Sequence, residues 1–132
     1  MSLEALLNET LERDYPGQFT NHFKLFFLNN TYNKTTNADG SSSGIAGYSR
    51  TNSQFGIMFS DHTESTIAHE CLHGLGLPHT FFGNNYLYKA QKTENVMDYS
   101  HLTIDKATGG ANIPLDRFST WYWQWKIINQ NI

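Results

Sequence analysis

Between residues 69 and 79 the chain reads HECLHGLGLPH, three histidines and one glutamate in eleven positions. His69 and His73 are four apart, so on a helix both imidazoles project from one face, one turn apart. That separation lets two ring nitrogens reach one zinc ion at about 2.0–2.1 Å each. Glu70 follows the first of them, rotated by about 100° around the axis, which puts its carboxylate beside a metal rather than on it. From there it can accept a proton from water. His79 cannot share the helix, because Gly76 and Pro78 intervene. A left-handed glycine at 76 would turn the chain sharply back and bring the third imidazole under the other two. The arrangement predicts a three-histidine Zn²⁺ site, with a fourth position left for water and Glu70 as general base.

The full pattern H-E-x-x-H-x-x-G-x-x-H resembles the signature of the metzincin metallopeptidases. A second stretch, NVMDY at residues 95–99, resembles the methionine turn that this family places beneath its histidines. The resemblance implies zinc-dependent hydrolysis of peptide bonds, with Met97 as a soft floor to the site. It implies that Tyr99 approaches the metal and stabilises the oxyanion. It also implies that the segment Gly44, Ile45, Ala46, Gly47 is an edge strand, to which an extended peptide substrate adds antiparallel. The pocket for the substrate's side chain would be bounded by residues 98–113. Thr80, directly after the third histidine, matches none of the better-known metzincin groups. The chain is short for the family and lacks a strand before its first helix, as a minimal or excised bacterial catalytic domain would. Its WYWQW ending resembles that of metallopeptidase domains in bacterial secreted effectors.

The elements that must position these residues follow from patterning. Leu3, Leu6, Leu7 and Leu11 recur at helical spacing until YPG at 15–17 interrupts them. FTNHFKLFFL (19–28) reads as a strand with Phe19, Phe23 and Leu25 on one face. NNTYNKTTNADGSSSG (29–44) reads as a polar loop, too poor in alternating acids to be a calcium site. Two short extended segments follow at 45–49 and 54–59. Asp61, with Glu64 three residues on, predicts the start of the histidine-bearing helix, and Gly74 its end. Residues 80–114 read as irregular. Phe118, Trp121, Trp125 and Ile128 form a helical stripe near the end, expected to pack into the core. The layout is α+β: a twisted mixed sheet with the histidine helix in an upper part of about 1–76, then an irregular lower part of about 77–132 closed by a helix, together one metzincin-like domain.

The 132 residues include 39% hydrophobic and 14% aromatic side chains, enough to bury a core. Lys+Arg 9 against Asp+Glu 12 gives a formal charge of −3, which argues against nucleic acid as a partner. No apolar run reaches the roughly 18 residues of a membrane helix. The expected partner is a peptide or protein substrate, met by a monomer. The first residues lack a signal peptide's basic start and apolar centre, yet a secreted or extracellular location is favoured over a cytoplasmic one. Cys71 is the lone cysteine and reads as buried filler facing away from His69. His22, His62 and His101 lack ligand spacing, and Glu94 competes poorly with His79 for the third ligand position. The alternatives are a catalytically idle zinc-binding module that recognises a partner, and a toxin-like effector peptidase with one narrow target.

Overall fold

The first helix, α1 (Leu3–Asp14), starts where the Ser2 hydroxyl accepts a hydrogen bond from the Ala5 amide, and it ends before Pro16. In the computed structural model, residues 1–36, 38, 42–82 and 88–131 are described. Five strands follow α1: β1 (Lys24–Phe27), β2 (Tyr32–Thr36), β3 (Ser42–Ile45), β4 (Gly47–Tyr48) and β5 (Phe55–Met58). The helices α2 (Glu64–Gly74) and α3 (Tyr122–Asn131) complete the order, and the class is α+β.

One sheet is mixed, in the order β1-β5-β4. Here β1 runs parallel to β5, with Lys24 opposite Phe55, and β4 runs antiparallel, with Gly47 opposite Met58. Strand β5 is central and all four of its residues are buried, as expected of a strand covered on both faces. Alternation sends Phe55 and Ile57 toward α1, where they cluster with Phe59, Leu7, Phe26 and Leu28. Gly56 and Met58 face α2 instead: a Cβ on Gly56 would lie 3.3 Å from the Met58 methyl and 4.0 Å from Glu70 Cβ.

Three expectations about the upper part need correction. The strand expected over 19–28 is confined to Lys24–Phe27, because residues 16–22 form turns in which Phe19 packs edge-on against Tyr15 and His22. The polar loop expected over 29–44 contains a two-stranded antiparallel sheet, β2 with β3, pairing Tyr32 with Ile45 and Thr35 with Ser43. Its backbone bonds do not require apolar alternation, and β2 is exposed along its whole length. Residues 37 and 39–41, half of the NADGSSSG segment weighed for calcium, lie outside the described residues. The cap of α2 is Thr63 rather than Asp61. Thr63 and Thr66 exchange side-chain-to-amide bonds at 3.2 Å each, and Asp61 pairs with Lys34 at 2.9 Å.

Below residue 76 the chain is irregular as expected, with two isolated bridges, Asn95 to Ser119 and Ile104 to Ala111. Residues 83–87 of this stretch lie outside the described ones. Leu77, Met97 and Ile128 form the second apolar cluster, joined by Leu72, Leu75 and Ile127. The stripe expected on the final helix is met in part, since Ile128 is buried and Trp121 half-buried but Phe118 and Trp125 are not. Phe118 is 77% exposed and precedes α3, and Trp125 is 50% exposed, while Gln124 and Ile128 are buried. The phase is set by a buried amide pair. Asn95 Nδ2 donates to Gln124 Oε1 at 2.9 Å, and Gln124 Nε2 donates back to Asn95 Oδ1 at 3.1 Å. Cys71 is half-buried, less enclosed than expected.

Asp98 ties this lower part together. Its buried carboxylate accepts from the amides of Gln91 and Tyr99 at 2.7 Å each and of Lys92 and Thr93 at 3.1 and 2.9 Å, and from the Thr93 hydroxyl at 2.8 Å. Removing it strands five donors. Asp98→Ala is expected to lower unfolding free energy by roughly 3–5 kcal/mol in denaturant titration, and a loss under about 1 kcal/mol would contradict this role.

Candidate metal centre

The three histidines meet as the spacing predicts. His69 and His73 are buried on one face of α2, and His79 reaches them from the segment after it. The reversal between them is a Schellman turn. The Gly76 amide donates to the His73 carbonyl and the Leu77 amide to the Leu72 carbonyl, both at 2.9 Å, with Gly76 at φ +100°. Leu77 then packs on Leu72, the apolar contact that accompanies such caps.

The same turn orients a ligand. His73 Nδ1 donates to the Leu77 carbonyl at 2.6 Å, and His69 Nδ1 donates to the Val96 carbonyl at 2.7 Å. Carbonyl oxygens accept only, so both rings carry their proton on Nδ1 and present the Nε2 lone pair. Those lone pairs converge: His79 Nε2 lies 3.2 Å from His69 Nε2 and 3.1 Å from His73 Nε2. Tetrahedral coordination with bonds of 2.0–2.1 Å would set its nitrogens about 3.3 Å apart, which these two separations approach, and all three lie within 4.8 Å of one another, so the set could hold a metal ion. Among the described residues this is the one group of three His, Cys, Asp or Glu side chains close enough to share a metal.

Electrostatics agree with a neutral, metal-ready triad. Burial pushes His69 down to about 3 and His79 to about 4, each lowered further by its neighbouring histidine. His73 is lowered by the same cause. Burial drives Glu70 the other way, up to about 7, against the pull of the Ser49 amide and the Arg117 guanidinium. A carboxyl poised near neutrality can both take and return a proton.

Glu70 and His69 share a cleft of about 280 Å³ with Gly44, Ile45, Ala46 and Gly47. Strand β4 is the outer strand of its sheet and lies directly on α2: a Cβ at Gly47 would be 2.7 Å from Glu70 Cγ and 2.8 Å from Thr66 Cγ2. The expected single edge strand is divided, however. Gly44 and Ile45 end β3, paired with β2, and only Gly47 and Tyr48 pair with β5, with the crossover at Ala46. Met97 is fully buried next to Leu77, on the turn that supplies the Val96 carbonyl to His69. The Tyr99 ring lies 4.7 Å from that of His79 and 5.9 Å from that of His69, and burial and Glu70 raise its phenol, so it stays a donor.

Arg117 was invisible in the sequence, whereas Lys106 and His101 fall in the segment 98–113 expected to bound a pocket, though nothing singled them out within it. Arg117 spans from the lower turn to the helix, donating to the Asp98 carbonyl and Ser65 Oγ at 3.1 Å each, and more weakly to the Val96 carbonyl at 3.4 Å. Lys106 and His101 line the same wall, although His101 was expected to have no part in a site. No local pattern marks them; they arrive through the irregular segment's path. His22 and His62 stand elsewhere, against Phe19 and Phe27. Glu94 is exposed, its carboxylate facing the Ser119 hydroxyl at 3.4 Å.

No family model matches the chain, and no curated protein or solved structure matches it either.

Acidification tests the triad's neutrality. The unfolded chain protonates its histidines near 6.5, the folded triad only well below that, so the unfolded state binds more protons between about pH 4 and 6.5. Stability of the metal-free protein should therefore fall with pH through that window. Glu70, protonated more readily when folded, opposes the trend with one group against three. The denaturation midpoint is expected to be lower at pH 5 than at pH 7, with a smaller difference in His69→Gln. A midpoint that is flat or rises on acidification would contradict the assignment.

Proposed function

We propose that the protein is a zinc-dependent endopeptidase of the metzincin type, with Glu70 as its general base. The observation that carries the reading is the convergence of three histidine Nε2 atoms, with His69 on the wall of a cleft that also holds a half-buried carboxylate and an outer β-strand. His69, His73 and His79 would hold the ion. Bound there, Zn²⁺ supplies a Lewis acid that polarises the scissile carbonyl and acidifies water.

The chain's own groups account for the rest. Strand β4 offers its outer edge to an extended peptide, and Gly47 lets that strand lie against Glu70 without a side chain between them. Glu70 accepts the proton of the attacking water and delivers it to the departing amine, a sequence its position near neutrality suits. The Tyr99 hydroxyl, held beside His69 and His79, donates to the oxygen on which negative charge develops. Met97 and Leu77 pack together in the apolar cluster, and the carbonyls of Leu77 and of Val96 beside Met97 hold the Nδ1 protons of His73 and His69. An outer strand and a half-buried carboxylate in a cleft that one histidine of the triad lines favour catalysis over a purely structural metal, which needs no base.

Glu70→Gln is nearly isosteric. It is expected to keep the fold and one zinc per chain while peptide hydrolysis falls by about 10²–10⁴-fold, measured with a quenched peptide pool and metal analysis. Chelation should abolish wild-type turnover reversibly. Gly47→Ala should also lower turnover with zinc retained, because its methyl displaces Glu70. Undiminished hydrolysis by Glu70→Gln would remove the base assignment, and zinc binding without cleavage by the wild type would favour an idle module.

A further inference from the structure

The chain carries a net charge of −3, yet the wall opposite Glu70 is cationic. Lys106 and Arg117 line the cleft with His101 at its rim, and Glu70 is the one acid in the lining. Four ion pairs occur among the described residues, and neither Lys106 nor Arg117 takes part in any of them. Among the described residues Arg117 donates its hydrogen bonds to neutral acceptors, the carbonyls of Val96 and Asp98 and the Ser65 hydroxyl, while the Asp98 and Glu70 carboxylates attract it through space without an ion pair. The Lys106 ammonium lies over the Tyr99 ring, 4.1 Å from its centroid.

We propose that Lys106 and Arg117 select substrates bearing a carboxylate beside the scissile bond. This rests on the peptidase reading above. An occupant that expels water from the cleft leaves two cations unpaired if its side chain is neutral, and repels them if it is basic. A carboxylate satisfies both, by a charge-assisted contact to the guanidinium and by pairing with the ammonium. The anion can be an Asp or Glu side chain or the peptide's own C-terminal carboxylate. Arg117 is fixed between α2 and the 95–99 turn, so it gives the contact direction, while exposed Lys106 adds charge.

The test uses four peptide sets of one backbone: amidated with Glu scanned through each position, amidated with Gln, amidated with Lys, and Gln with a free C-terminus. Cleavage by the zinc-loaded wild type and binding by zinc-loaded Glu70→Gln are read in parallel. A Glu set, or the free-terminus set, preferred over amidated Gln by on the order of tenfold in both kcat/KM and Kd supports the proposal. The winning set identifies the source of the carboxylate, and the preference should shrink with salt. Lys106→Gln should weaken it, Lys106→Glu should turn it toward the Lys set, and Arg117→Lys, which keeps the charge, should retain part of it. Cleavage or binding without acid preference, or an unaltered preference in Lys106→Glu, overturns carboxylate selection and leaves the peptidase reading standing. Acid-selective binding without cleavage of any set does the reverse. Neither binding nor cleavage overturns both.

Discussion

Three neutral imidazole nitrogens aimed at one point, 3.1–3.2 Å apart where His79 meets the other two, are the constraint around which the rest is arranged. Ring nitrogens at that separation are held together either by a shared proton or by a cation among them. The fold sustains the arrangement because two of the rings cannot turn away. Their Nδ1 hydrogens are committed to the carbonyls of Leu77 and Val96, inside the second apolar cluster. Each carbonyl belongs to a turn with its own reason to exist. Leu77 closes the Schellman cap that Gly76 permits, and Val96 sits in the turn bracketed by the Asn95–Gln124 amide pair and the Asp98 carboxylate. Helix α3 and the irregular segment thus support the site by fixing carbonyl oxygens rather than by supplying ligands.

The upper part makes the complementary contribution. Central β5 is buried on both faces, and it holds β4 so close to α2 that only glycine fits at 47. That contact shields Glu70 from water and raises its proton affinity, while Arg117 moderates the effect from the other wall. One close approach therefore brings the outer strand β4 and the Glu70 carboxylate into the same cleft.

The ligand set was legible because it rests on local rules: the helical period for His69, Glu70 and His73, and glycine's conformational freedom at Gly76. The burial of Met97 and the approach of Tyr99 to the histidines agree with the NVMDY expectation in position alone, and β5 was legible through its apolar run. What escaped depends on partners distant in sequence. The β2–β3 pairing leaves no hydrophobic alternation in YNKTT. The phase of α3 is set by Gln124 finding Asn95 twenty-nine residues away, against the stripe its tryptophans suggest. Thr63 prevailed over Asp61 as a cap because Thr66 returns its hydrogen bond, whereas Asp61 is held by Lys34. Arg117, Lys106 and His101 reach the cleft along irregular backbone, where residue spacing carries no periodic information.

Zinc K-edge absorption on the protein loaded with one equivalent of metal addresses the centre most directly. The expected first shell is three imidazole nitrogens at about 2.0–2.1 Å and one further light atom from solvent, with an imidazole lost when His69, His73 or His79 is replaced. Failure to take up one tightly held zinc, or a shell of oxygens indifferent to those three replacements, would contradict the account.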